Sequence, residues 1–168
     1  MGINIQAIPH LLYIQFCKTE GRTPITPIPV VPFNKEAFLP PSDKAKIIWY
    51  GHSVVLLRIN NQTILIDPML GPDASPIAPF RTKRFSENTL DIIDSFPNID
   101  VMMLTHGHYD HLDLASINRL KSKVSNYYVA LGTSRHLEKW GIDQNCITEF
   151  DWWDAMTFEG ISISFTPT

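Results

Sequence analysis

Two kinds of apolar pattern alternate along the chain. Val54-Val55-Leu56-Leu57 and Val101-Met102-Met103-Leu104 are unbroken apolar runs, of the kind found in strands covered on both faces. Leu114, Ile117 and Leu120 recur at helical spacing directly after the second run. Strands are expected at 46–50, 54–59, 62–66, 101–104, 127–131, 146–150 and 161–165. Asn60-Asn61 reads as a two-residue hairpin turn, because asparagine tolerates positive φ. Asp67-Pro68 ends the third strand, since proline cannot continue the ladder. Helices are expected from Ser86 as N-cap to about Ser95, with Leu90, Ile93 and Phe96 facing inward, and from Thr133 as cap to Gly141 as terminator. Strands alternating with helices define a layered α/β architecture.

Residues 24–41 interrupt this pattern with six of the chain's thirteen prolines. Proline fixes φ and removes a backbone donor, so the segment is expected to be an extended strap along the domain surface. The chain divides accordingly into an N-terminal arm, 1–44, and a globular part, 45–168. Ile8 to Phe16 is apolar but interrupted by Pro9 and His10, and it falls far short of the roughly 20 residues that span a bilayer. Position 6 is Gln, which does not meet the myristoylation pattern.

Between the apolar strand at 101–104 and the helix at 114 lies Thr105-His106-Gly107-His108-Tyr109-Asp110-His111-Leu112-Asp113, with three of the six histidines in nine positions. Neutral imidazole and carboxylate are ligand types that zinc and iron accept. If the chain stays extended past the strand, side chains at 106, 108 and 110 share one side and His111 enters from the turn. Four donors on six consecutive residues crowd a single tetrahedral centre, so the loop is suited to two ions, each needing further ligands from elsewhere.

The His-x-His-x-Asp-His pattern of His106, His108, Asp110 and His111 resembles the signature of the metallo-β-lactamase fold. Trp49-Tyr50-Gly51-His52-Ser53, Ile64-Leu65-Ile66-Asp67-Pro68, Ala74-Ser75-Pro76, Lys83-Arg84-Phe85 and Asp151-Trp152-Trp153 come in the order and approximate spacing of the N-acyl-phosphatidylethanolamine-hydrolysing phospholipase D branch. Thr82 stands where that branch usually has proline, and the first 40 residues match loosely. In the branch a segment like Phe165-Thr166-Pro167 leads into a Gln-His-Trp that supplies another metal histidine, with a bridging aspartate and a final histidine later. The resemblance therefore implies a four-layer αββα fold of which this chain supplies the first αβ half. It also implies a C-terminal complement as partner.

The implied chemistry is hydrolysis of a phosphodiester such as N-acyl phosphatidylethanolamine with two divalent ions, expected to be zinc. Ions roughly 3.5 to 4 Å apart acidify a shared water to a nucleophile at neutral pH. His106 and His108 are assigned to the first ion, and Asp110 and His111 to the second. Asp110 also orients the nucleophile, and Asp67 accepts a hydrogen bond that fixes a ligand imidazole. Arg81, Lys83 and Arg84 form a basic rim suited to an anionic substrate. His52 is either a similar outer hydrogen-bond partner or a buried satisfied histidine, and it receives no catalytic role. The fold hosts many reactions, so a sugar-lactone hydrolase remains the enzymatic alternative and a non-catalytic assembly half-domain the alternative of another class.

Composition changes this picture little. The chain is 168 residues, 44% hydrophobic and 18% charged, ordinary for a globular protein, and its net charge of −3 gives no reason to expect a nucleic-acid partner. Cys17 and Cys146 lack metal or redox spacing, which suits a reducing, cytoplasmic location with at most peripheral contact to lipid. The half-fold is expected to leave apolar strand surface that is covered by its complement or by self-association into a homo-oligomer. Trp152 and Trp153 are read as an interface or core anchor, or as lining for an acyl chain.

Overall fold

The computed structural model describes residues 23–74 and 82–167, together with Pro9, Tyr13 and Gly21. After the strap, a short helix α1 (Lys35–Phe38) is capped by Asn34, whose side chain accepts from the Ala37 amide at 2.9 Å. Lys46 closes its other end by donating to the carbonyls of Ala37 and Pro40, each at 2.9 Å. The strap itself has no helix or strand over 24–33, and Ile28 N–H donates to Phe85 O at 2.8 Å. Phe33 packs edge-on against Phe38 and Phe96, which ties the arm to the main core.

Six strands follow: β1 (Lys46–Trp49), β2 (Val55–Ile59), β3 (Gln62–Ile66), β4 (Ile99–Leu104), β5 (Val124–Ala130) and β6 (Ile147–Phe150). They form one sheet in sequence order, antiparallel from β1 to β3 and parallel from β3 to β6. Asn60 and Asn61 have φ of 48° and 62°, the left-handed pair that a tight hairpin between β2 and β3 requires. The parallel pairs are joined through α2 (Ile92–Ser95), α3 (Leu114–Leu120) and α4 (Ser134–Lys139). A hairpin of β7 (Ala155–Phe158) and β8 (Ile161–Ser164) forms a second sheet.

Both faces of the large sheet are apolar, as the unbroken runs predict, and each packs against a different layer. Leu56, Leu65, Met102, Leu104, Tyr127 and Val129 meet the helices through Ile93, Ile117, Leu120 and Leu137. On the opposite face Ile64, Val101, Tyr128 and Phe150 meet Met156, Phe158, Ile161 and Ile163 of the hairpin. The described layers are thus helix, mixed sheet and second sheet, the order in which an αββα fold begins. No described helix is long and apolar enough to cross a membrane.

Four local expectations differ from the structure. The helix expected from Ser86 starts only as a 3₁₀ turn at Thr89–Asp91, because Asn88 is left-handed (φ 55°) and the Thr89 hydroxyl donates to Leu70 O at 2.7 Å. Ile93 and Phe96 are nevertheless buried. Thr133 does not cap α4 with its side chain; Glu149, from β6, accepts from the Ser134 amide at 2.8 Å instead. β5 begins at Val124, three positions ahead of the apolar stretch, and there Asn126 donates across to Asp100 O. β7 was not expected, since its four residues carry only a brief alternation of half-buried Met156 and Phe158 with exposed neighbours. Gly141 does end α4, with φ 85°.

Candidate metal centre

The loop leaves the C-terminal end of β4 in the sheet interior and closes at once into a turn, with the amides of His111 and Leu112 donating to His108 O at 3.0 and 2.8 Å. The extended stretch therefore stops near His108, and Asp110 is carried back toward both neighbours. His106, His108 and Asp110 place one donor atom each within 4.8 Å of one another. So do His52, Asp110 and His111, with Asp110 common to both groups. The sequence reading paired His106 with His108 and Asp110 with His111; the fold brings Asp110 close to both groups and His52 close to the second.

Asp67 organises the loop from beneath. It is 2% exposed and sits at φ 42° just past β3. Its Oδ1 accepts from the Thr105 amide at 2.8 Å, and its Oδ2 from the Thr105 hydroxyl at 2.7 Å and from His111 Nδ1 at 2.9 Å. With its proton given to Asp67, the Thr105 oxygen is left to accept from His106 Nδ1 at 3.0 Å. Both imidazoles are thereby held as Nδ1–H tautomers, and their Nε2 lone pairs are free to ligate. This fits a metal centre: the donors are of the right type, converge, and are presented unprotonated.

The charges agree. Burial, followed by the neighbouring His111 and His108, pushes the His106 imidazolium down from its ordinary range, so the ring stays neutral. Burial alone would raise the Asp110 carboxyl, but its own backbone amide, His111 and His52 outweigh it and the net shift is downward. A carboxylate held anionic beside an imidazole of depressed basicity suits a divalent cation, which binds the deprotonated forms of both.

The remaining residues of the reading fall in distinct places. Asp113 caps α3, accepting from the Ser116 amide at 2.9 Å, and also receives the Gly71 amide at 3.2 Å. Lys83 is exposed and lines a cavity that His52 and Asp110 also line. Arg84 points inward, donating to Met69 O and Tyr50 O at 2.5 Å each, and so fastens the end of β1 to the loop after β3. Arg81 lies outside the described residues, as does Cys17, whereas Cys146 is a free, half-buried thiol. A cavity of about 890 Å³ is lined by the strap from Ile28 to Pro32, by Trp49, Phe85 and Met69, and by His52, Asp110 and Lys83. Trp152 and Trp153 are 63% and 72% exposed and take no part in that cavity's walls.

His52, read from the sequence as either an outer hydrogen-bond partner or a buried histidine, is exposed and not buried. It stands in the β1–β2 turn at φ 47°, with its Nε2 3.2 Å from Asp110 Oδ2. The signal was topological: β2 runs antiparallel to β3, and β3 parallel to β4, so the start of β2 lies at the same end of the sheet as the end of β4, with β3 between them.

A family model described as β-lactamase superfamily domain matches residues 62–168, and the chain belongs to the metallo-β-lactamase superfamily. An uncharacterized protein of Mycobacterium tuberculosis is 28% identical over 145 residues, covering 86% of this chain and 38% of that protein. An N-acyl-phosphatidylethanolamine-hydrolyzing phospholipase D of Caenorhabditis elegans is 28% identical over 115 residues, 66% of this chain and 32% of that enzyme. A metal-dependent hydrolase of Saccharolobus solfataricus is 27% identical over 124 residues, 73% of this chain and 49% of its own length. The chain thus spans less than half of each of these relatives. In fold it is similar to Igni18, a metallo hydrolase of Ignicoccus hospitalis (TM-score 0.53, 21% identity, 73% of this chain, 48% of that one). It is likewise similar to the diiron β-hydroxylase CmlA of Streptomyces venezuelae (TM-score 0.51, 22% identity, 70% of this chain, 23% of that one).

Proposed function

We propose that the chain carries the metal-ligand loop of a metal-dependent phosphodiesterase that acts on a phospholipid such as N-acyl phosphatidylethanolamine. The observation that supports this best is the hydrogen-bonded relay through Thr105 and Asp67, which leaves the Nε2 atoms of His106 and His111 both free to ligate beside Asp110. His106 and His108 would hold one divalent ion, zinc in this reading, and Asp110 and His111 the other. When bound, such ions supply Lewis acidity and a water acidified enough to attack at neutral pH. Asp110 would orient the nucleophile such ions supply, and Asp67 keeps His111 from rotating by accepting from its Nδ1. Lys83, with Arg81, draws the anionic phosphodiester toward the loop.

The phospholipid reading takes its direction from the phospholipase D relative, and the apolar cavity beside Asp110 suits a substrate with a hydrocarbon part. Further ligands are assigned to a C-terminal complement like the remainder of the longer relatives, and the complete protein to the cytoplasm with peripheral contact to lipid. The test is hydrolysis of a bis-aryl phosphate and of vesicles containing N-acyl phosphatidylethanolamine by the chain together with its complement. Phosphodiester cleavage that a chelator abolishes is expected. Turnover of a sugar lactone with no phosphodiester cleavage would overturn the substrate class, and metal binding without any hydrolysis would favour the assembly module.

A further inference from the structure

His52 approaches the loop from a different part of the chain, and its backbone is built for that approach. Gly51 and His52 are consecutive left-handed residues, with φ of 86° and 47°. That conformation disfavours ordinary side chains, so a histidine held in it is a feature to be explained. The Trp49 indole N–H donates to His52 O at 2.9 Å and fixes the turn. The imidazole is thereby aimed at Asp110 Oδ2, 3.2 Å from its Nε2.

His111 Nε2 approaches the same Asp110 oxygen, at 3.7 Å, and the rings of His52 and His111 stand 5.1 Å apart, edge to face. Donors arranged tetrahedrally around one zinc-sized ion lie about 3.4 Å from one another, given bonds near 2.1 Å. The two measured separations bracket that spacing. A histidine that merely hydrogen-bonded Asp110 would not need His111 Nε2 to face the same point, whereas three donors around a cation do.

We propose that His52 is a ligand of the second cation site, so that His52, Asp110 and His111 form a three-donor set within this chain. The proposal rests on the loop being a metal centre but not on the reaction it catalyses. Asp110 then serves both ions, and the β1–β2 turn is held down on the loop by the metal.

Cobalt(II) and zinc titrations of the chain, with metal counted by elemental analysis after gel filtration, test this without an activity assay. His52→Asn is the informative variant, because asparagine tolerates the left-handed backbone and removes the ring. The chain is expected to take up two ions. His52→Asn is expected to hold the second roughly 10–100-fold more weakly, a loss of the size that follows removal of groups supporting a metal site. The first ion's affinity should be unchanged, and His136→Ala, on α4 and in neither donor group, should bind as the parent does. If His52→Asn bound both ions with the parent's affinities, His52 would be a hydrogen-bond partner of Asp110 only; loss of both ions together would also overturn the assignment. Should His52→Asn fail to fold, hydrogen exchange on the parent decides: zinc is expected to slow exchange at the amides of 50–54, and an unchanged rate there would overturn the proposal. A parent that binds two ions yet, together with its complement, cleaves no phosphodiester would refute the proposed reaction and leave this site standing.

Discussion

Asp67 Oδ2 and His111 Nδ1 lie 2.9 Å apart although 44 residues separate them in sequence. The same carboxylate receives the amide and hydroxyl of Thr105, so one buried side chain satisfies three donors under the loop. Asp67→Ala should therefore weaken metal binding by roughly 10–100-fold. It should also destabilise the metal-free chain by about 1–3 kcal/mol, because the Thr105 donors lose their buried acceptor. Metal titration and urea denaturation check the two effects separately, and unchanged values in both would mean the bond does not organise the site.

Gly71 faces Asp113 so closely that an added Cβ would come within 2.8 Å of Asp113 Oδ2. Gly71→Ala is expected to displace the carboxylate that caps α3, at a cost of about 1–3 kcal/mol by analogy with other overpacked sites. Thermal denaturation reads the loss. A variant as stable as the parent would show that Asp113 swings aside freely.

Much of the site was legible in the sequence because its donors sit on consecutive residues after an apolar strand. His106, His108, Asp110 and His111 needed no tertiary information to be singled out, and Asp67 was legible as an acidic residue at a strand end. His52 was legible only as one of two open readings, because its relation to Asp110 arises from the pairing of β2 with β3 and of β3 with β4. The same cause hid the capping of α4 by Glu149 and the place of Arg84. An arginine in a proline-containing loop reads as a rim cation, and only the fold shows its guanidinium donating to Tyr50 O and Met69 O. Long apolar strands were legible with correct ends at Leu104, Ile59 and Ile66, whereas β7 lacked enough contrast to stand out.

The two basic residues flanking this distinction should behave differently on substitution. Lys83→Ala is expected to raise KM for an anionic substrate with little change in kcat, because anion binding is common to ground and transition states. Arg84→Ala should lower stability, since two backbone carbonyls lose their donor. Steady-state kinetics of the complemented protein and denaturation of each variant check this; a KM unaffected by Lys83→Ala removes that residue from the substrate path.

Glu149 supplies a pH dependence away from the metal loop. Burial would raise its carboxyl, but the backbone and side chain of Ser134 and the amides of Gly132 and Thr133 outweigh it, so the folded value lies below the ordinary 4.5. Between those two values the unfolded chain binds more protons than the folded one, so stability rises with pH. The contribution is complete above about 4.5 and is lost as pH falls through the depressed folded value. Glu149→Ala should cost about 1 kcal/mol at neutral pH, as loss of a helix cap does, and should flatten the acid limb of the stability profile. Parallel profiles for variant and parent would contradict this.

The central claim is that the His106–His111 loop binds two divalent ions, and metal content tests it most directly. Elemental analysis of the zinc-loaded chain should find two ions, falling to one in His111→Ala and to the other one in the double variant of His106→Ala with His108→Ala. A His111→Ala protein that retained two equivalents of zinc at the parent's affinity would contradict the account.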